Sequence, residues 1–525
     1  VSWSTASGRD FALDADMLAR LAAAAVVGIE PVAVSVEVDV SPGLPGLTVV
    51  GLPDATVRES RDRVRTAIRN SGFPFPGDRI TVSLAPADIR KVGAAFDLPI
   101  ALGVLAASGV LPCREEVAMT VVGGLSLDGG VPPMRGLLPI AVAARRAQQL
   151  LMFPAANAAE AGVVDGLRGL PVDSLLDAAR AFVAPQARPL VQGADPAIGR
   201  DDDECDLLDV RGQTAGRRAL EIAAAGGHHL LMCGPPGAGK TMLARRLPGL
   251  LPPLAFEDAL TVTTVHSVAG LIPPGGGLMR RRPFRAPHHT ASDVALVGGG
   301  AVPRPGEISL AHAGVLFLDE LPEFSRRVLD TLRQPLEQGV VHIARAQRTA
   351  TFPADVLLVA AMNPCPCGYA GTGLRPCTCP AGAVERYQRR LSGPLRDRFD
   401  LAIDLPAVAW EELRTHVPGE STAIVRDRVL AARERQVARQ GQLNSRLRGD
   451  VELWRELRDP AAERLIGQAA GRFQLSARAI TRVVRVARTI ADLAGSDAIG
   501  AEHVAEALQY RVREVRADQM SAPNV

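Results

Sequence analysis

Gly234-Pro235-Pro236-Gly237-Ala238-Gly239-Lys240-Thr241 is the stretch on which the reading of this 525-residue chain turns. It follows a short apolar run, His228–Cys233, that reads as a strand, and it opens a helix expected over Thr241–Leu247. Glycines in such a turn let successive backbone N–H groups point inward around a polyphosphate. The helix behind it aims its N-terminal dipole at the same anion. Lys240 is placed to reach the β and γ phosphates of ATP, and the Thr241 hydroxyl to ligate Mg2+. Of the 59 Lys and Arg residues, only Lys91 and Lys240 are lysine. A lysine kept in so arginine-rich a chain marks a position that a compact ammonium fits and a planar guanidinium does not. No role for Lys91 follows from the sequence.

Working downstream, Val315-Leu316-Phe317-Leu318 reads as a buried strand ending in Asp319-Glu320. Parallel strands present their C-terminal ends on one side of a sheet, so these acids are expected beside the phosphate loop. Asp319 suits Mg2+, and Glu320 can orient or deprotonate an attacking water. A further strand, Val356–Ala361, ends at Asn363, whose amide can contact the γ-phosphate or that water. From Asp206 to about residue 405 strands and helices alternate, the pattern of an α/β parallel sheet with crossover helices. Beyond Trp410 the pattern is helical. Its best segment starts at Ser476 as N-cap and carries Ile480, Val483, Val484, Ala487, Ile490, Ala491 and Ala494 along one stripe.

Upstream, Val32, Val34, Val36 and Val38 alternate as a strand, followed by strands at Leu47–Val50, Ile80–Leu84 and Val121–Leu127. Helices are expected over Asp54–Ser71, Leu98–Ser108 and Leu138–Gln149. The resulting division is a tail at 1–16, an α+β domain at 17–183, a linker at 184–204, an α/β core at 205–405, a helical lid at 406–515 and a tail at 516–525. Net charge is +2, so any nucleic-acid surface must be local. No apolar run reaches the roughly 18–20 residues that span a bilayer, and the seven cysteines do not form a disulfide framework. A cytoplasmic protein is expected, with no membrane partner.

Several further stretches resemble the ComM (YifB) branch of the magnesium-chelatase-like AAA+ ATPases. They are Gly43–Leu47 with Val49–Pro53, Phe96-Asp97-Leu98-Pro99-Ile100, Arg285-Ala286-Pro287-His288-His289-Thr290, Pro305–His312 and Asn363-Pro364-Cys365-Pro366-Cys367-Gly368. The resemblance implies an ATP-hydrolysing P-loop core and helical lid. It places Asn363 at the sensor-1 position, Arg398 as an arginine finger (with Arg396 as the alternative) and Arg478 as sensor 2. A finger acts on a neighbour's site, so a homo-oligomeric ring, a hexamer, is implied. The first domain resembles the proteolytic domain of Lon proteases, but Ala95 stands at the Ser position and Leu138 near the Lys position, so neither member of that dyad is present. The best-described relatives resemble ring helicases that drive branch migration when imported DNA is recombined. The alternatives are the motor of a magnesium chelatase and a protein-remodelling ATPase.

Two clusters remain. Cys365-x-Cys367-(x)9-Cys377-x-Cys379 offers four thiolates within fifteen residues, suited to a structural Zn2+ although its one-residue gaps are shorter than usual. Arg280, Arg281, Arg282 and Arg285 surround Phe284 in what reads as an insertion, and can track the phosphates of single-stranded or branched DNA. Arg345 and Arg348, in a hairpin expected after a helix at Arg326–Glu337, are a second candidate surface.

Overall fold

A computed structural model describes residues 18–511 except 53, 88–90, 92, 113–117, 187, 189, 191–204, 301, 346–347, 409, 411–413, 415–418, 448–453 and 455. The expected tails, and most of the expected linker, lie outside the described residues.

The first part of the chain builds a seven-stranded mixed sheet from β1 (Leu18–Val27), β2 (Glu30–Ser41), β3 (Gly46–Val50), β4 (Arg79–Ala85), β5 (Met119–Val121), β6 (Leu150–Pro154) and β7 (Arg168–Val172). Its order is β3-β4-β2-β1-β5-β6-β7. Val34, Val36, Val38 and Val40 of β2 all point into the core, as their alternation requires. β1 was not expected as a strand, because LARLAAAAVV is rich in alanine, a poor strand former. Antiparallel pairing with β2, from Leu18 opposite Asp39 to Val27 opposite Glu30, overrides that propensity. The strand expected over Val121–Leu127 is cut to β5. Beyond it Gly123 leaves the ladder, donating to the Ala95 carbonyl (2.9 Å) and accepting from Leu98 N (3.0 Å) at the start of the buried helix Asp97–Ala107.

The second sheet is entirely parallel. It joins β8 (Leu230–Cys233), β9 (Phe284–Arg285), β12 (Val315–Leu318), β15 (Leu357–Met362) and β16 (Leu401–Asp404) in the order β16-β8-β15-β12-β9. Two antiparallel ribbons flank it: β10 (Gly298–Gly299) with β11 (Arg304–Pro305), and β13 (Val340–Arg345) with β14 (Arg348–Pro353). The stretch read as an insertion therefore contains β9, an edge strand of the core sheet, where the Phe284 ring stacks on Phe317 with centroids 6.0 Å apart. The helix expected over Arg326–Glu337 is split into Arg326–Thr331 and Arg333–Gln338. Pro335 has no N–H for the Thr331 carbonyl, which interrupts the ladder. Helices Thr422–Gln440, Pro460–Phe473, Ala477–Ala494 and Ala501–Gln509 complete the described chain. Ser476 caps the third of these, its hydroxyl accepting from Ala479 N at 3.3 Å.

The first part docks on the second through helix Leu137–Arg146, which packs against helix Phe256–Ala269. Leu138 and Val163 close on Ala259 and Leu278 in one buried cluster. Beside it the buried Glu160 carboxylate accepts from the Ser267 hydroxyl (2.5 Å) and Leu138 N (3.1 Å). Burial raises its pKa, and these hydrogen bonds oppose the rise. Among the described residues, no helix is long and apolar enough to cross a membrane.

Candidate nucleotide site

The C-terminal ends of β8, β15 and β12 lie side by side, and the loop 234–239 leaves β8 to enter helix Lys240–Leu250. Gly239 sits at φ 84°, a left-handed conformation that lets the loop close directly onto the helix N-terminus. Lys240 Nζ donates to the carbonyls of Gly234 (2.7 Å) and Pro235 (2.9 Å) and to Asn363 Oδ1 (3.1 Å). Burial lowers its pKa, while the Asp319 carboxylate opposes that shift. The Thr241 hydroxyl donates to Asp319 Oδ2 at 2.8 Å. These contacts bring Lys240, Thr241, Asp319 and Asn363 into one cluster around the N-terminus of a helix. The set offers the backbone N–H groups of a loop and helix start, an ammonium, and a hydroxyl–carboxylate pair of the hard oxygen type that Mg2+ prefers.

Glu320 follows at φ 51°, an unusual conformation for a residue with a side chain, and such strain clusters at working sites. Its carboxylate lies 3.2 Å from His289 Nδ1. His288 and His289 stand in the sequence within the family stretch Arg285–Thr290, which assigns them no role. The fold brings His289 to Glu320 because β9 runs parallel to β12, so the residues leaving both strands emerge on the same side. Gln213 was also missed: it is buried, and its amide donates to the carbonyls of Ala238 (3.0 Å) and Pro406 (2.7 Å), tying the loop to the chain beyond β16. Its positive φ of 49° carries no sequence signal.

The two arginines read as finger and sensor stand elsewhere. Arg398 lies just before β16, where Asp400 N and Leu401 N both donate to the His229 carbonyl at 3.1 Å. That is the entrance of β8, whereas the phosphate loop is at its exit. Four strand residues separate the two, about 13 Å at ~3.3 Å per residue. Arg478 is at the start of helix Ala477–Ala494, one turn before Arg482, which donates to the Phe399 carbonyl at 3.1 Å. Arg398 and Arg478 therefore share one face, lining a cleft of about 1280 Å3 with Arg433 and Arg482. Arg398 is ion-paired to Glu337, and burial, with Arg478 and Arg333 nearby, lowers its pKa. Arg396 donates instead to the Gln388 carbonyl at 3.3 Å.

The four cysteines converge. Their sulfur atoms lie within 4.8 Å of one another, and Cys365 is fully buried. Cys367 N donates to Cys379 Sγ (3.4 Å) and Ala370 N to Cys365 Sγ (3.2 Å). Backbone N–H groups of Tyr369 and Thr378 draw the Cys367 thiol down to about 5. Four clustered sulfurs with N–H donors are the donor set that suits a tetrahedral soft ion.

The arginines assigned to DNA differ in exposure. Arg282 donates to the carbonyls of Pro252 and Ala313, and Arg285 forms a two-point pair with Glu307 at 2.6 and 2.7 Å. Both guanidinium groups are engaged within the chain. Arg280 and Arg281 are exposed. Arg345 and Arg348 face each other at the end of the β13–β14 hairpin, and their side chains lie outside the described residues. Lys91 is buried and donates to the Pro86 carbonyl, a packing role.

Family models describing magnesium chelatase subunit ChlI match residues 206–413 and 36–157, and its C-terminal part matches 419–511. The chain is 46% identical over 497 residues to the uncharacterized protein YifB of Salmonella typhimurium, covering 93% of this chain and 96% of that protein. It is 46% identical over 502 residues to the competence protein ComM of Haemophilus influenzae, covering 94% and 97%. A more distant match, 26% identical over 151 residues, is to Lon protease 2 of Bacillus subtilis and covers 26% of each chain. With a P-loop core, a Lon-like first domain and similarity along nearly its whole length, the chain belongs to the ComM/YifB family of magnesium-chelatase-like AAA+ ATPases.

Proposed function

We propose that the protein is an ATP-driven DNA translocase that works as a ring of identical chains, a hexamer, moving branched or single-stranded DNA during recombination. The observation that carries the ring is the separation of Arg398 and Arg478 from the chain's own phosphate loop by the full length of β8. Arginines that cannot reach their own nucleotide are suited to a neighbour's, where an added guanidinium stabilises transition-state charge and raises the rate by about 10^3–10^5. In this reading Lys240 and the loop N–H groups bind the phosphates. Thr241 and Asp319 hold Mg2+, which neutralises phosphate charge. Glu320 activates water, Asn363 positions it, and the four cysteines hold a structural Zn2+.

DNA as the substrate is supported by the relation to a competence protein along nearly the whole chain. Exposed Arg280 and Arg281 supply phosphate contacts, with the Arg345–Arg348 hairpin end as a second surface. ATP turnover measured with forked DNA, with a porphyrin plus Mg2+, or with unfolded protein tests the reading. Forked DNA is expected to stimulate. Stimulation by porphyrin alone would indicate a chelatase motor, and by unfolded protein alone a remodelling ATPase.

A further inference from the structure

The cysteine cluster sits against the phosphate loop. The segment starts directly after Asn363, whose amide oxygen accepts from Lys240, and its first sulfur ligand is only two residues on. Gly368, at φ 87°, lies over Pro236 so closely that a β-carbon there would be 2.7 and 2.9 Å from two ring carbons of that proline. Residues 364–382 contain neither helix nor strand. They are held by turns such as Gly368 N to the Cys365 carbonyl (3.0 Å), by N–H···S contacts and by the stacking of Arg375 on Tyr369 at 3.5 Å. A segment with so little ladder of its own takes its shape from whatever ties the sulfurs together.

We infer that the metal-bound cysteine knuckle is a strut for the phosphate loop, so that nucleotide affinity depends on zinc held by the knuckle that packs against Pro236. The inference rests on the zinc reading given above. Gly368 packs on Pro236, and Asn363 accepts from Lys240, so the segment and the residue that precedes it touch the loop at two points. Losing the metal frees the segment and lets the loop populate shapes that do not bind. Affinity falls by the fraction of chains still in the competent shape, about tenfold if one chain in ten keeps it.

The test uses the full chain and a fluorescent ATP analogue with Mg2+. Zinc is counted by elemental analysis and then removed with a chelator that has negligible affinity for magnesium. About one zinc per chain is expected, followed by an approximately tenfold weaker dissociation constant that zinc re-addition restores. Absence of metal from protein purified without chelator overturns the zinc reading and the strut with it. Full zinc with unchanged affinity after removal overturns the strut alone. Pro236→Ala provides a second arm. It is expected to keep its zinc, bind the analogue more weakly, and lose little more affinity when zinc is removed. An equal loss on stripping in Pro236→Ala and wild type would show that the coupling does not pass through this contact. If far-UV circular dichroism shows that stripping unfolds the chain, zinc-loaded Pro236→Ala decides, and wild-type affinity in that variant refutes the proposal.

Discussion

The two parts of the chain gather opposite kinds of residue at the positions that resemble enzyme sites: polar groups in the core, apolar ones around Leu138. In the core, Lys240, Thr241, Asp319 and Asn363 are linked by hydrogen bonds of 2.8–3.1 Å at the exits of parallel strands. In the Lon-like part, the position that resembles the protease's lysine is Leu138, and it is sealed in an apolar cluster with Ala259 and Leu278 of the ATPase core. Leu138 is part of the surface by which the two parts dock. The contact is held further by the hydrogen bond from Ser267 to Glu160.

The largest effect is expected where the core chemistry is deleted. Lys240→Ala removes the ammonium held in the loop, and ATP binding should be nearly abolished in an equilibrium assay. Glu320→Gln should bind ATP normally and hold it unhydrolysed, measured by single-turnover kinetics; a normal rate would exclude Glu320 as the base. On the Lon-like side the comparison predicts the reverse. Restoring the dyad residues with Ala95→Ser and Leu138→Lys should yield no peptidase activity, and burying an ammonium among Val163, Ala259 and Leu278 should destabilise docking by about 3 kcal/mol or more. Thermal unfolding of the double variant against Ala95→Ser alone isolates the lysine; equal stability would show that the contact is not tight.

Arg285→Ala leaves Glu307 without its two-point partner, a loss of about 1–3 kcal/mol by denaturant unfolding. That outcome separates a structural arginine from a DNA-facing one. The smallest effect concerns the exposed pair. Replacing Arg280 and Arg281 with Ala should weaken forked-DNA binding and make the plot of log K against log salt shallower by about 0.7–0.9 per lost contact. An unchanged slope would move the DNA surface to the Arg345–Arg348 hairpin end or the Lon-like part.

The nucleotide loop was legible because its glycines, lysine and threonine form one contiguous pattern between a strand and a helix. Asp319 and Asn363 were legible as polar residues ending apolar strands. β9 was not, since two residues between Pro283 and Ala286 give no periodicity and are fixed only by β12. β1 was hidden by alanines that become a strand through pairing alone. The His289–Glu320 contact, the Gln213 tie and the shared cleft of Arg398 and Arg478 all join residues remote in sequence. They exist only once the strand order is set.

Mixing two defective variants tests most directly the proposal that each ATP site is completed by a neighbouring chain. Arg398→Ala should bind ATP and assemble but not hydrolyse, and Lys240→Ala should neither bind nor hydrolyse while keeping its own arginine intact. Combined in equal amounts, they should recover a measurable part of wild-type ATPase, because an intact loop in one chain meets an intact arginine in the next. Hydrolysis by Arg398→Ala alone, or no recovery from mixed rings whose assembly is verified by light scattering, would contradict the account.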